Sequence, residues 1–432
     1  MSKRRIIILG AGLAGLSAAW HLQKEGQDCL VFEKEPEVGG LCRSKKIGGF
    51  TFDYDGHLLH FRHRYAFDLV KSLLGNNLAE HKRSAWVYSS GRYIRYPFQA
   101  NLHTLPAGVI QECILGLISR DGKFKGNKDN NFLEWIHSTF GKGIARHFMV
   151  PYNTKFWTVH PREMTCAWLG GRVPRPSLRQ IVQGAIEESQ REFGYNSRFW
   201  YPKKGGISQL PDALAGNIRG VRTGCAAKEI NLAKKEITLA SGDKEKFDYL
   251  IFTMPLPELP HIIKDLPKDI QAQFKKLKWN SIFNLNLGAH ESNLNGKHWI
   301  YFPARGTSFF RLGSYTNFSA SLAPADKKSL YVEISYSKDK PINKGAIIAK
   351  IMKDIEKIGI LKSRDEVCLE DTNDIKYGYP IYDQNYLSAR GVILKYLQGN
   401  KIFACGRYGS WKYMSMEDAL LDGRRMLEFF RR

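Results

Sequence analysis

Six residues near the start of the chain, Gly10-Ala11-Gly12-Leu13-Ala14-Gly15, have the spacing that lets a polypeptide backbone lie against a diphosphate. They follow Ile6-Ile7-Ile8-Leu9, a run suited to a buried parallel strand, and lead into Leu13, Leu16 and Trp20 at helical spacing. Gly10 permits a tight turn, Gly12 lets the diphosphate approach, and Gly15 allows close helix–strand packing. The helix start, at Leu13 and Ala14, offers unpaired N–H groups to the phosphates. Glu33 closes a second strand, DCLVFE, eighteen positions after Gly15, where its carboxylate can accept hydrogen bonds from a ribose. Lys34 beside it belongs to the same candidate site. The fingerprint alone serves nicotinamide and flavin nucleotides equally.

Two further segments separate them. Gly39-Gly40-Leu41-Cys42-Arg43-Ser44 resembles the second glycine motif of the FAD-binding amine-oxidase and glutathione-reductase group, in which the glycines and arginine lie along the same diphosphate. At the other end, Lys401 to Gly406 reads as a strand closing on glycine, followed by Arg407. Met416, Leu420, Gly423, Leu427 and Phe430 then mark one face of a helix. This resembles the late FAD motif of that group, whose helix N-terminus faces the flavin pyrimidine and favours the anionic reduced form. The cofactor implied is FAD.

Several segments are rich in Arg, Tyr, Trp and Asn: Tyr96-Pro97-Phe98-Gln99, Pro151-Tyr152-Asn153, Cys166 to Arg172, Trp299 to Pro303 with Arg311, Gly378-Tyr379-Pro380, and Gly406 to Tyr413. In this order they resemble the UDP-galactopyranose mutase family, its eukaryotic-type branch more than its bacterial one, over nearly the whole chain. The resemblance implies a uridine pocket of Tyr96, Phe98, Gln99, Met149 and Asn153, with Trp157 and Asn196 along the substrate channel. It implies that Arg172 and Arg311 clamp the diphosphate, helped by the hydroxyls of Tyr301, Tyr379 and Tyr413. Planar guanidinium forks suit phosphate oxygens. His57 would tune the flavin N5, and Arg407 would lie near the isoalloxazine.

The activity implied is interconversion of UDP-galactopyranose and UDP-galactofuranose, or of a related UDP-sugar, through a reduced-flavin N5–sugar adduct with no net redox. NADPH or NADH would serve only as the activating reductant. Two residues depart from the family's pattern. Asp55-Gly56-His57 stands where it has Gly-Gly-His, and Trp411-Lys412-Tyr413 where it has Trp-Arg-Tyr. The alternative is a flavin-dependent oxidoreductase of the amine-oxidase or protoporphyrinogen-oxidase type, which takes hydride from its substrate. Such an enzyme has no need of a diphosphate clamp.

These residues must be positioned by more than one hydrophobic core, because 432 residues exceed what one core organises. The fold class expected is α/β: a Rossmann-like FAD-binding domain with an inserted helical domain and an antiparallel β-sheet domain. The first takes residues 1–84, 200–258 and 396–432; the helical domain takes 103–198; the sheet domain takes 85–102 with 259–395. AWVYSSGRYIRYPF (85–98) reads as a hairpin about Ser-Ser-Gly-Arg, and Lys344 to Ile358 as a helix. Seven scattered cysteines with no CxxC pair argue against a disulfide frame or zinc site. The short apolar start argues against a secretory signal, and the location expected is cytoplasmic, with no transmembrane segment. The net charge of +23 favours anionic ligands and leaves peripheral contact with an acidic membrane surface open. It is spread along the chain with no nucleic-acid motif, so no nucleic-acid partner is expected.

Overall fold

The computed structural model describes residues 4–120, 131–189, 191–194 and 196–430. Ile6–Leu9 has no polar face and is buried on both sides, as a central parallel strand requires. It pairs in parallel with Cys29–Phe32 and with Tyr249–Phe252. Val221–Arg222 and Ile402–Ala404 form the edges, so both ends of the chain meet in one five-stranded sheet. Helix Leu13–Lys24 covers this sheet beside helix Met416–Arg425, and the Ser17 hydroxyl donates to the Leu420 carbonyl at 2.6 Å. The latter helix begins with a reciprocal cap between Ser415 and Asp418.

A seven-stranded sheet holds much of the substrate side. Its order is Val367–Pro380, Trp279–Ala289, Lys328–Tyr336, Arg311–Ser314, Trp299–Tyr301, Ala85–Ser89 and Arg92–Arg95. It is antiparallel except where Trp299–Tyr301 runs parallel to Ala85–Val87. The hairpin read from Ser-Ser-Gly-Arg is present. Ser90 and Gly91 both take positive φ, 54° and 73°, as a two-residue turn between twisted strands requires. The long strand Trp279–Ala289 alternates in meaning. Phe283, Leu285 and Leu287 pack with Ile351, Met352 and Ile355 of helix Lys344–Ile358. Asn284 and Asn286 point the other way, where Asn286 bonds to Asp371 and to the Asp53 carbonyl.

The described residues between 107 and 186 are mainly helical: Ala107–Ile118, Phe132–Ile144, a π-helical turn Ala145–Met149 that runs into Val150–Trp157, and Leu178–Ile186. Asn131 caps the second of these. Together the elements form the mixed α/β architecture expected. No helix among the described residues is long and apolar enough to cross a membrane.

Candidate functional site

The two glycine motifs pack against each other backbone to backbone. Gly39 N–H donates to the Ala11 carbonyl at 2.8 Å, and Gly12 and Gly39 form a parallel bridge. Gly10 takes φ +102°, a conformation costly for any side chain, and a Cβ on Gly15 would lie 2.0 Å from the Gly10 oxygen. A Cβ on Gly12 would meet only the Gly40 Cα, at 4.0 Å, so this face stays open to a ligand. The N–H groups of the first turn, at Leu13, Ala14 and Gly15, face outward without a side-chain cap. Glu33 is buried at the strand end, taking N–H bonds from Ala11 (2.7 Å) and Glu35 (3.0 Å), while Lys34 is exposed beside Glu35. Arg43 is tied to the Gly40 carbonyl at 2.9 Å and lies over the Tyr54 ring. Leu41 packs with Ile282, Phe310 and Ile375 on the substrate side. Gly406 is fixed through Asp422, and Met416 is buried at the start of the last long helix. An open glycine backbone, a helix N-terminus and a carboxylate at the next strand end suit the dinucleotide part of FAD.

Beyond this cradle three arginines and several phenols form one cluster. Arg172 lies 4.7 Å over the Tyr413 ring, donates to the Trp168 carbonyl at 2.9 Å, and is 3.7 Å from Asp418. Tyr413 stacks on Tyr379 at 5.6 Å. Arg407 lies 4.3 Å over Tyr379 and 5.3 Å over Tyr413, and its Nε is buried with no partner among the described residues. Burial pushes the Tyr379 phenol up to about 12 against the pull of Arg407, so it remains a hydroxyl donor at neutral pH. Arg311 pairs across the sheet with Tyr301 on one side and Glu333 on the other. Its Nε and one Nη grip the two oxygens of Glu333, and the same Nη is 3.7 Å from Asp55. His57 Nδ1–H donates to the Asp55 carbonyl at 3.2 Å, leaving Nε2 as an acceptor. Burial holds this imidazole below its ordinary pKa, with Asp55 opposing and Arg407 and Arg311 reinforcing.

The residues expected around a uracil lie next to this cluster. Tyr96 contacts the Tyr301 ring at 5.2 Å, and Tyr301 contacts Tyr152 at 5.3 Å. Phe98 is fully buried and stacks on Phe148, which stacks in turn on Tyr152. Gln99 donates to the Pro174 carbonyl at 2.7 Å while its buried Oε1 has no partner among the described residues; Asn153 donates to the Met149 carbonyl at 2.7 Å. Asn196 stands further off, receiving a bond from Arg83, whose guanidinium lies over Tyr96. Trp157 is fully buried between Trp168 and Tyr379, its indole N–H without a partner among the described residues. A cleft of about 350 Å³ is lined by Gly171 and by residues 173–176 and 191–194, and Pro174 in its wall is the residue whose carbonyl Gln99 bonds. Sequence reasoning missed Glu333, which neutralises Arg311, and Lys155. It noted Asp55 only as a departure, without its contact to Arg311.

A nucleotide cradle shared by both chain ends, facing a wall of arginines and aromatic rings, defines a flavin-dependent enzyme. The chain belongs to the flavin containing amine oxidoreductase family, which it matches over residues 13–426, and FAD is the cofactor that membership implies. Within it, the fold is similar to a crystal structure of reduced UDP-galactopyranose mutase: 29% identity, TM-score 0.93, covering 99% of this chain and 95% of that one. A putative protoporphyrinogen oxidase from Exiguobacterium sp. 255-15 shares the fold at TM-score 0.77 and 16% identity, covering 100% and 99% of the two chains. Among curated proteins, protoporphyrinogen oxidase 2 of Arabidopsis thaliana is 24% identical over 281 residues, 57% of this chain and 53% of that one. The chain spans about half the length of the first curated relatives it matches.

Proposed function

We propose that this chain is a UDP-galactopyranose mutase-type isomerase, interconverting the pyranose and furanose forms of UDP-galactose or a related UDP-sugar without net oxidation. The observation that carries the reading is the arginine–tyrosine cluster, set in a fold similar over nearly its whole length to a reduced UDP-galactopyranose mutase. When bound, reduced flavin supplies the nucleophile toward the anomeric carbon. Arg172 and Arg311, with the hydroxyls of Tyr301, Tyr379 and Tyr413, hold the diphosphate and stabilise charge developing on the departing UDP. Tyr96, Phe98, Gln99, Met149 and Asn153 enclose the uracil, with Trp157 and Asn196 along the channel, and the free carbonyl of Gln99 accepts from the base edge. His57, held below its ordinary pKa, would offer Nε2 as an acceptor to the bound flavin, and Arg407 would favour negative charge on it. NADPH or NADH acts only to reduce the flavin, and the protein works in the cytoplasm.

The rival reading, an oxidase taking hydride from its substrate, is supported by the likeness to protoporphyrinogen oxidase 2. Purified protein incubated with UDP-galactofuranose, with and without dithionite, separates the two. A mutase forms UDP-galactopyranose only when reduced and yields no peroxide. Failure to convert the sugar under reduction, or peroxide release from a hydride-donating substrate, would refute the isomerase reading.

A further inference from the structure

Lys155 lies on helix Val150–Trp157, between Asn153 and Trp157, and reaches the loop that follows Tyr301. Its Nζ is 2.9 Å from the Phe302 carbonyl, 2.9 Å from the Thr307 carbonyl, 3.0 Å from Thr307 Oγ1 and 3.1 Å from the Phe309 carbonyl, and it also contacts the Ala304 carbonyl. An ammonium has three N–H donors, so five oxygens exceed what hydrogen bonding alone would gather. They form a cation cage, and every oxygen comes from the loop that joins Trp299–Tyr301 to Arg311–Ser314. The same loop is held from its other side. Asp354, on helix Lys344–Ile358, accepts from the Ser308 N–H and the Ser308 hydroxyl, both at 2.7 Å.

A methylene chain ending in an apolar group would fill this space at a smaller desolvation cost. Burial pulls the Lys155 ammonium down to about 7, with Asp354 opposing and Lys350 reinforcing, while the five surrounding oxygens favour its charged form. The cage carbonyls converge, and without a cation between them their dipoles repel. Removing the charge therefore opens the loop. Tyr301 and Arg311 are directly paired at the base of that loop, so its shape sets where the phenol and the guanidinium stand relative to helix Val150–Trp157.

We propose that Lys155 is a positioning residue whose ammonium clasps the 302–309 loop and so fixes Tyr301 and Arg311 against the helix that carries Asn153 and Trp157. The inference rests on the reading that these groups together hold a nucleoside diphosphate.

The test compares UDP affinity of the FAD-loaded wild-type protein with that of Lys155→Ala and Lys155→Met, in the presence and absence of n-propylammonium chloride. Tetramethylammonium chloride serves as the ionic-strength control. Expected is bound flavin in all three, UDP binding weakened on the order of tenfold in both variants, and recovery of Lys155→Ala alone by n-propylammonium. Lys155→Met fills the space without a charge, so it carries the test should Lys155→Ala fail to fold. Wild-type affinity in Lys155→Met overturns the clasp while leaving the nucleotide reading intact. Weakened binding in a folded Lys155→Ala that n-propylammonium does not restore reduces Lys155 to a packing residue and also overturns it. A wild-type protein that does not bind UDP overturns the nucleotide reading, and this inference with it.

Discussion

Arg311 is the residue on which the nucleotide reading leans hardest, and removing it disturbs more than a ligand contact. Glu333, its partner on the neighbouring strand, is 0% exposed, and both its oxygens are engaged by the Arg311 guanidinium. Arg311→Ala therefore strands a carboxylate that the native packing shields from solvent. Breaking a buried ion pair from one side costs about 3–5 kcal/mol, because the remaining charge stays desolvated. Glu333→Gln alone should cost less, about 1–3 kcal/mol, since Arg311 keeps Asp55 at 3.7 Å. In Arg311→Ala/Glu333→Gln the Glu333 charge goes with its partner, and Asp55 is the carboxylate left without Arg311. The double variant should then be more stable than the sum of the singles implies by about 2–3 kcal/mol. Urea unfolding with FAD in fixed excess gives these values, and UDP titration is run on the same samples. The double variant should be no less stable than Arg311→Ala although it carries a second substitution, while UDP binding remains about 2–5 kcal/mol weaker than wild type. Strict additivity of the two stability losses would show that the pair is not coupled. UDP binding restored in the double variant would show that Arg311 acts through the fold and does not touch the nucleotide.

The remaining expectations concern the cradle, the imidazole and a buried acid. Gly15→Ala places a methyl 2.0 Å from the Gly10 oxygen and should abolish flavin retention on gel filtration; Gly26→Ala, at φ +74° with nothing within 4 Å, should keep its flavin and lose only about 1–2 kcal/mol. Retained flavin in Gly15→Ala would mean the motif tolerates a wider turn. His57→Ala should lower kcat while UDP affinity stays within about twofold, less than 0.5 kcal/mol; a selective loss of affinity would move His57 away from the flavin. Asp53 is 1% exposed, and burial raises it to about 6 despite bonds from Tyr201, Ser44 and the Ile207 N–H. Because its folded value lies above the unfolded one, the folded state binds the proton more tightly, and stability is lost as pH rises from about 4 through 6. The wild type should lose about 3 kcal/mol relative to Asp53→Asn over that interval, and a flat difference by urea unfolding would contradict it.

What the residues announce and what they conceal follows the range of the interactions involved. Gly15 answers to the Gly10 oxygen five residues back and Gly10 to Thr253 just past a neighbouring strand, while Gly12 faces Gly40 of the second glycine motif, so both motifs could be read from their local spacing. Helix Lys344–Ile358 runs between the limits read from its periodicity, because Asn343 caps it and Gly359 ends it in the left-handed conformation. The arginines and tyrosines were legible as a set only through the order of segments that resembles the UDP-galactopyranose mutase family, and nothing local announces the charge that balances them. In Lys328–Tyr336, alternation puts Glu333 on the same face as Tyr331, but only the register with Arg311–Ser314 seats it under Arg311. Asp55 could be seen as a departure, while its approach to Arg311 depends on how the 53–57 turn meets the sheet.

Lys155 was hidden for a different reason. Reading Pro151 to Trp157 draws the eye to Tyr152, Asn153 and Trp157, whereas four of the five cage oxygens are main-chain carbonyls roughly 150 positions away. A carbonyl belongs to every residue type, so a site built from carbonyls leaves no mark in composition or spacing. The proposed grip on a diphosphate is thus carried by side chains, while the proposed clasp that positions them is built from backbone that any sequence would supply. For that reason the decisive perturbations are those that alter a buried charge and then ask whether a small ion can replace it.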